Sequence, residues 1–281
     1  MIYDCAIIGA GPAGITSAIQ LKRAGFTITL FEKKKIGGLA PNAHHIENYL
    51  GFREGISGRK LTSLFVRQLK LWKIPVVVAE VTNITKKNFF YIYTPQKKYK
   101  ARSVILATGT IPLEANIPGE KELSGEKVFY EVTDLLSKSR SNKSAVAIIG
   151  GGDVGFDYAL RLIEKKYQPR IITSHKIKCL DLLKQRVKKK KIPCLENIQI
   201  RSIKSNKHKV EVICRGIKFI VDYVLIAIGR KPSLPLIKVV NRDGLFMAGD
   251  VQNAAQRQIH IATGDGMKAA LNVINYLQTK C

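Results

Sequence analysis

Two glycine-rich turns and one pair of acids hold most of the chemistry legible in this 281-residue chain. GAGPAG (Gly9–Gly14) follows a short apolar run, Tyr3–Ile8, and leads into ITSAIQLKRAG, whose apolar residues recur at helical spacing until Gly25. A second apolar run, Phe26–Phe31, ends on Glu32, 18 residues past Gly14. Strand, glycine turn, helix, strand, acid is the order that dinucleotide binding requires. Gly9 permits the tight turn, Gly11 lets backbone approach a pyrophosphate, and Gly14 lets the helix pack closely on the strand. The helix N-terminus, opened by Pro12 and Ala13, offers N–H groups and positive dipole to phosphate. Glu32, with Lys33 beside it, can accept hydrogen bonds from a ribose diol.

The pattern recurs. Ser144–Ile149 reads as a strand, GGGDVG (Gly150–Gly155) as the turn and FDYALRLIEKKY as the helix. The next strand, Arg170–Thr173, ends in Ser174, His175 and Lys176 with no acid. An acid would repel a 2′-phosphate there, whereas His175 and Lys176 can pair with one, which favours NADPH over NADH. Gly150, Gly152, Asp153 and Val154, with Ser174, His175 and Lys176, are the residues expected around this second nucleotide. The chain therefore binds two dinucleotides or has duplicated one unit.

FYEVTD (Phe129–Asp134) places two acids three residues apart between aromatics. It reads either as a catalytic site, with Glu131 and Asp134 as the paired carboxylates and Tyr130 and Glu131 as the candidate catalytic residues, or as the start of a helix. In the second case Thr133 caps the helix and Asp134 lies in its first turn.

Five cysteines (Cys5, Cys179, Cys194, Cys214, Cys281) show no C-x-x-C and no metal-type spacing, which points to free thiols, no metal and a cytoplasmic setting. No apolar run approaches the roughly 18 residues of a membrane helix, and the opening MIYDCAIIGAG reads as a strand rather than a signal peptide. The formal net charge is +26, and Arg161–Lys191 holds twelve Lys or Arg against two acids. No nucleic-acid module accompanies that charge, so nucleic acid is not an expected partner. A solvated face is one reading of it, an electrostatic funnel for an acidic partner or phosphate-bearing ligand the other.

Stepping outward to the elements that must hold these groups, Ser103–Gly109 and Tyr223–Gly229 are each a buried strand ending in a small-residue turn. GLFMAGDV (Gly244–Val251) is a further strand, ending in glycine and an acid.

Taken in order, these motifs resemble low-molecular-weight thioredoxin reductase and its flavoprotein relatives among the two-dinucleotide-fold disulfide reductases. The matching stretches run almost end to end. They are GAGPAG, Glu32, IGG (Ile36–Gly38), IENYLGF (Ile46–Phe52), ISG (Ile56–Gly58), ATG (Ala107–Gly109), GGGD (Gly150–Asp153), AIGRKP (Ala227–Pro232), AGD (Ala248–Asp250) and RQI (Arg257–Ile259). The resemblance implies an α/β protein of two Rossmann-like, three-layer dinucleotide-binding domains, the second inserted into the first. Residues 1–112 and 242–281 would form the FAD domain and residues 113–241 the NAD(P)H domain, in a homodimer.

By position, Gly9, Gly11, Pro12, Ala13, Gly14, Glu32 and Lys33 would hold the ADP half of FAD, and the backbone at Val81 would meet its adenine. Gly38, Asn48, Ala107, Thr108 and Gly109 would lie near the flavin. Gly249 and Asp250 would bind the ribityl and pyrophosphate portion, with Gln258 and Ile259 at the pyrimidine edge.

The chain departs from the family where it matters most. Aligned on Tyr130, the two positions of the family's redox C-x-x-C fall on Glu131 and Asp134. Leu39 stands where a glutamine usually follows the paired glycines. The expectation is an FAD-dependent NAD(P)H oxidoreductase that hands electrons directly to an outside acceptor, with the basic surface favouring an acidic carrier such as ferredoxin. A non-catalytic flavin-binding protein and an atypical thioredoxin-disulfide reductase are the alternatives.

Overall fold

The computed structural model describes residues 1–139, 143–239, 241–253 and 255–279. Two compact units emerge. Unit 1 comprises Met1–Pro41, Glu47–Ile111 and Arg230–Cys281; unit 2 comprises Asn42–Ile46 and Pro112–Gly229.

The chain begins in unit 1 with β1 (Tyr3–Ile8), α1 (Pro12–Arg23), β2 (Ile28–Glu32), α2 (Gly58–Leu71) and β3 (Val76–Val78). Ser57 caps α2 by accepting a hydrogen bond from the Lys60 N–H. The strands pair in parallel, with Ile7 opposite Leu30 and Phe31 opposite Val77. Next, β4 (Asn83–Lys86), β5 (Phe90–Tyr93) and the long β6 (Lys98–Leu106) form an antiparallel meander. The second half of β6 lies parallel to β1, and β7 (Thr110–Pro112) follows it.

Unit 2 repeats the plan: β8 (Val128–Phe129), α3 (Val132–Lys138), β9 (Ala145–Ile149), α4 (Asp153–Glu164), β10 (Gln168–Ile172), α5 (Asp181–Lys189) and β11 (Cys194–Leu195). An antiparallel meander of β12 (Ile200–Asn206), β13 (Lys209–Cys214) and β14 (Lys218–Val221) precedes β15 (Tyr223–Ile226). The parallel sheet has the order β11-β10-β9-β15-β8.

The chain then returns to unit 1 through β16 (Arg230–Pro232), which forms a two-stranded sheet with β7. β17 (Leu236–Lys238) lies parallel to β4, β18 (Leu245–Met247) lies parallel to β6, and α6 (Ile259–Thr279) ends the fold. The unit 1 sheet has the order β17-β4-β5-β6-β1-β2-β3, with β18 also on β6.

Each central strand is apolar on both faces because each face meets a different layer. In β1, Cys5 and Ile7 join the core under α1 and α6, while Ala6 and Ile8 join the core under the β4–β6 meander. In β9, Val146 and Ile148 pack with Phe156, Ala159 and Leu162 of α4, while Ala147 and Ile149 pack with Val210 and Val212 of β13. The two-residue side-chain period of a strand thus splits one run of apolar residues between two cores, giving three layers in each unit.

The expected second boundary at 241/242 moves to 229/230. Between these two positions, Leu236–Lys238 pair with Asn83–Thr85, and Ile237 packs on the meander core. A three-residue edge strand carries too little pattern to be read from sequence. Residues 42–46 were likewise expected in the first domain and belong to unit 2. Among the described residues, no helix is long and apolar enough to cross a membrane.

Candidate functional site

In unit 1 the first glycine turn is defined by close approaches. Gly9 has φ +106°, and a Cβ there would lie 2.3 Å from the Ala107 carbonyl oxygen. A Cβ on Gly14 would lie 1.9 Å from the Gly9 oxygen, so neither position admits a side chain. Gly11 differs, with Gly38 Cα, 3.9 Å away, as the nearest atom its Cβ would meet. Gly11 is also the N-cap of α1, with Pro12 behind it, no side-chain cap and no acid in the first turn. The helix N-terminus therefore keeps its donors and dipole for an anion, in an open cradle that fits a pyrophosphate.

Glu32, at the end of β2, is held by backbone: Oε2 accepts from the Ala10 N–H and Oε1 from the Lys34 N–H, both at 2.9 Å. An ionised carboxylate has about four acceptor positions, so capacity for a ribose diol remains. Lys33 pairs with Glu80 at 3.5 Å, and Val81 is buried.

Of the predicted flavin-side residues, Asn48 and Gln258 meet each other, while Gly38 and Gly249 meet residues of the first glycine turn. Gly38, at φ +57°, brings its Cα against Gly11. The Asn48 amide donates to Gln258 Oε1 at 3.1 Å, just ahead of Ile259 at the start of α6. Gly249, at φ +77°, lies against the Ala13 methyl. Ala107 is buried, Thr108 donates its hydroxyl to the Ser233 carbonyl, and Gly109 has φ +63°. Asp250 is partly buried, and burial pushes its carboxyl above the ordinary range, against the pull of Arg257 and Arg230. Its side chain makes no hydrogen bond among the described residues, which leaves it available to a ligand hydroxyl.

Three contributors in unit 1 were not singled out in the sequence. Asp265 on α6 accepts from the Gly249 N–H at 3.2 Å and from Asn253 Nδ2 at 2.7 Å, fixing the AGD turn. Ser17 donates to the Gly266 carbonyl at 2.8 Å, and a Cβ on Gly266 would lie 2.2 Å from the Ala13 carbonyl oxygen. Small residues spaced along α1 and α6 were the available signal, since only they let two helix backbones come this close.

Unit 2 repeats the turn with different trim. Gly150 has φ +135°, and its Cβ would lie 2.3 Å from the Ala227 carbonyl oxygen; that of Gly155 would lie 2.5 Å from the Gly150 oxygen. Gly152 is open, with its nearest atom at 3.9 Å. Asp153, first residue of α4, accepts from the Leu180 N–H at 2.8 Å, and Val154 is exposed beside it. Ser174, His175 and Lys176 are exposed, and the His175 N–H donates to Thr173 Oγ1 at 3.3 Å. An open cleft lined by Asp153, Lys178, Cys179, Leu180 and Asp181 lies alongside.

FYEVTD is held within unit 2. The Tyr130 hydroxyl donates to Glu120 Oε1 at 2.6 Å, and burial together with that carboxylate pushes the phenol pKa well up. Glu120 is 1% exposed and also accepts from the Ala115 and Ile117 N–H groups. Glu131 Oε2 accepts from Asn42 Nδ2 at 2.8 Å and from the Tyr158 hydroxyl at 3.0 Å.

Thr133 is not the helix cap. Glu131 occupies the N-cap position of α3, with φ −123° and ψ 130°, and Thr133 lies inside the helix. The Thr133 hydroxyl donates instead to Asn42 Oδ1 at 2.8 Å, a partner far away in sequence. Asp134 does lie in the first turn. Cys5 and Cys214 are buried, Cys179 is half-buried and Cys194 is exposed, all as free thiols. Burial raises the Cys5 thiol to about 12. Cys281 lies outside the described residues.

The family model described as pyridine nucleotide-disulphide oxidoreductase matches residues 3–266. The chain belongs to this family. Among curated relatives, thioredoxin reductase of Bacillus subtilis (strain 168) is 30% identical over 306 residues, covering 99% of this chain and 95% of the relative. Thioredoxin reductase of Treponema pallidum is 30% identical over 304 residues, covering 99% and 98%. Among solved structures, Lactococcus lactis thioredoxin reductase in its FR conformation has a TM-score of 0.89 at 27% identity, covering 99% of both chains. T. acidophilum thioredoxin reductase has a TM-score of 0.86 at 30% identity, covering 100% of this chain and 99% of that one. The pyridine nucleotide-disulphide oxidoreductase fold, with two Rossmann-like units, is therefore this chain's fold, and the chain is an oxidoreductase of thioredoxin reductase type.

Proposed function

We infer that the chain is an FAD-dependent NAD(P)H oxidoreductase that passes electrons to an external acceptor without a dithiol of its own. The observation that carries this reading is the duplicated glycine turn, closed at Gly9 and Gly150 by the same 2.3 Å approach and open at Gly11 and Gly152. Gly9, Gly11, Pro12, Ala13, Gly14 and the fixed carboxylate of Glu32 suit the ADP half of FAD, and Gly249 with Asp250, whose side chain makes no hydrogen bond among the described residues, suits its ribityl portion. Gly150, Gly152 and the acid-free strand end at Ser174, His175 and Lys176 suit NADPH better than NADH. Bound together, the two cofactors supply hydride transfer from nicotinamide to flavin. The protein's part is to bind and orient them and to place a polar, thiol-free surface where relatives of the family carry a dithiol.

The absence of that dithiol supports direct transfer to the acceptor. Glu131 and Asp134 cannot exchange with a disulfide, and Glu131 is committed to Asn42 and Tyr158. The net charge of +26 suits an acidic carrier such as ferredoxin.

The test is anaerobic mixing of FAD-loaded protein with NADPH or NADH, followed by reoxidation with ferredoxin, a quinone, oxygen or thioredoxin. Flavin bleaching by NADPH, with fast reoxidation by one carrier and slow turnover with thioredoxin, is expected. Failure of both nucleotides to bleach the flavin overturns the enzyme reading, and fast thioredoxin turnover overturns the direct-transfer reading.

A further inference from the structure

The outer face of the unit 1 meander carries an ordered array of lysine and tyrosine. In β5, Phe90 and Ile92 turn into the core, so Tyr91 and Tyr93 turn away from it. Strand pairing carries that outer face across four strands. Tyr93 lies opposite Lys98 of β6 and Asn83 of β4, and Asn83 lies opposite Leu236 of β17. One step along, Tyr91 lies opposite Lys100 and Thr85, and Thr85 lies opposite Lys238. Lys98 and Lys238 are exposed, and Leu236 is 56% exposed.

Aromatic rings fix the positions of the lysines. Lys98 Nζ lies 4.2 Å from the centre of the Tyr91 ring and 5.3 Å from that of Tyr93. Lys100 Nζ lies 4.8 Å from the Phe89 ring centre and 5.7 Å from that of Tyr91. A hydrogen bond with Thr85, and after it the Lys98 and Lys87 cations, hold the Tyr93 phenol below its ordinary range.

No acid on these strands answers the charge. Residues 81–113 hold six Lys or Arg and no Asp or Glu, and Leu236–Lys238 adds another lysine and no acid. Among the described residues, Lys98, Lys100 and Lys238 make no ion pair. The corresponding meander of unit 2 is treated differently. There Lys218 pairs with Glu211 at 3.1 Å and Lys209 with Asp222 at 3.9 Å.

Cations held in place and left unneutralised on an open sheet face attract an anionic partner and speed its encounter. Alternate residues of a strand stand about 6.7 Å apart, and acids at alternate positions of an extended chain recur at the same interval. Tyrosines and Leu236 among lysines supply the aromatic and apolar contact, with a charged margin, that protein interfaces use. Nucleobases would need the ring faces for stacking, and ammonium groups already lie over those faces.

We propose that the outer face of β17-β4-β5-β6 is a docking surface for an acidic segment of another protein. None of its residues is assigned to either cofactor, so the proposal stands apart from the reading given under Proposed function.

The experiment measures binding of three labelled probes to the full-length protein by fluorescence anisotropy at low and high salt. The probes are an alternating Glu-Thr peptide, its Gln-Thr counterpart and oligothymidylate. The variants are Lys98→Glu/Lys100→Glu, the milder Lys98→Gln/Lys100→Gln, and Lys188→Glu/Lys189→Glu on α5 as a control with the same change in net charge. Far-UV dichroism checks folding. The Glu-Thr peptide is expected to bind at least about tenfold more tightly than the Gln-Thr peptide at low salt, and to lose most of that advantage at high salt. Lys98→Glu/Lys100→Glu should weaken it about tenfold or more, Lys98→Gln/Lys100→Gln by a few-fold, and the α5 control by less than about twofold.

Equal binding of the two peptides overturns the proposal. An equal loss in the α5 control also overturns it, because the attraction then belongs to the net charge and not to this face. Oligothymidylate bound more tightly than the Glu-Thr peptide, and released by Lys98→Gln/Lys100→Gln, would make the face a nucleic-acid surface and overturn the assignment to protein.

Discussion

The two glycine turns are near copies that differ in what surrounds them. In both, the first glycine takes positive φ beneath a strand-end carbonyl, and the last packs against the first. In unit 1 the first turn of the helix has no acid, and a carboxylate, Glu32, is pinned at the neighbouring strand end. In unit 2 the acid has moved: Asp153 lies in the helix's first turn and binds Leu180, while the neighbouring strand ends in Ser174, His175 and Lys176. Backbone packing is thus common to both turns, and the placement of one carboxylate differentiates the ligand each can take.

The largest effect is expected from breaking the shared part. Gly9→Ala and Gly150→Ala each force a Cβ to 2.3 Å from a carbonyl at positive φ. Strain and overpacking together should destabilise the affected unit by roughly 3 kcal/mol. Denaturant unfolding of each variant checks this, with FAD retention lost in the first and nicotinamide binding lost in the second. Equal loss of both ligands in either variant would show that the turns do not serve separate nucleotides.

Gly11→Ala and Gly152→Ala sharpen the comparison, because each new Cβ has its nearest neighbour at 3.9 Å. Stability should change by less than about 0.5 kcal/mol while ligand affinity falls about tenfold, equivalent to about 1.4 kcal/mol. Calorimetric titration of FAD into the first variant and NADPH into the second separates glycines needed for packing from glycines needed for approach. Unchanged affinity would remove the pyrophosphate from that turn.

The strand ends come next. Glu32→Ala should weaken FAD by at least about tenfold, since even one lost charge-assisted hydrogen bond costs about 1.5 kcal/mol or more. Lys176→Glu should weaken NADPH but leave NADH nearly unchanged. A parallel loss of both nucleotides would mean that Lys176 does not read a 2′-phosphate.

The smallest effect concerns two acids raised by burial, Asp250 in unit 1 and Asp157 in unit 2. Each folded pKa lies above the ordinary 3.8, so the folded state holds that proton more tightly than the unfolded chain. The resulting stabilisation is complete below pH 3.8 and is lost as pH rises through the raised value. Asp250→Asn and Asp157→Asn should each flatten that slope, read as thermal midpoints between about pH 3 and pH 6. A slope left intact in both variants would assign the acid response to other groups.

Much of the fold was legible in the sequence because strand and helix periods are local properties. Tyr3–Ile8 is read and found as a strand, and the second strand, read as Ser144–Ile149, is found at Ala145–Ile149. Glycine at positions 9, 14, 150 and 155 was equally legible, since a turn that admits no Cβ leaves no other residue. The strand at Leu236–Lys238 went unread, and Thr133 was misread as a helix cap, for one common reason. Leu236–Lys238 become a strand only beside β4, and the Thr133 hydroxyl finds Asn42 rather than its own helix terminus.

By itself, then, the sequence determined the doubled strand–turn–helix plan, the closed and open glycines, the carboxylate at position 32 and the lack of a paired thiol. These follow from side-chain size, backbone freedom and short-range period. Tertiary structure alone decided that Tyr130 belongs to Glu120, that Asp265 fixes the Gly249 turn, and that Asn42, 89 residues from Glu131, meets it at 2.8 Å. A hydrogen bond between distant residues leaves no periodic trace, because its partners are selected by packed surfaces and not by spacing along the chain.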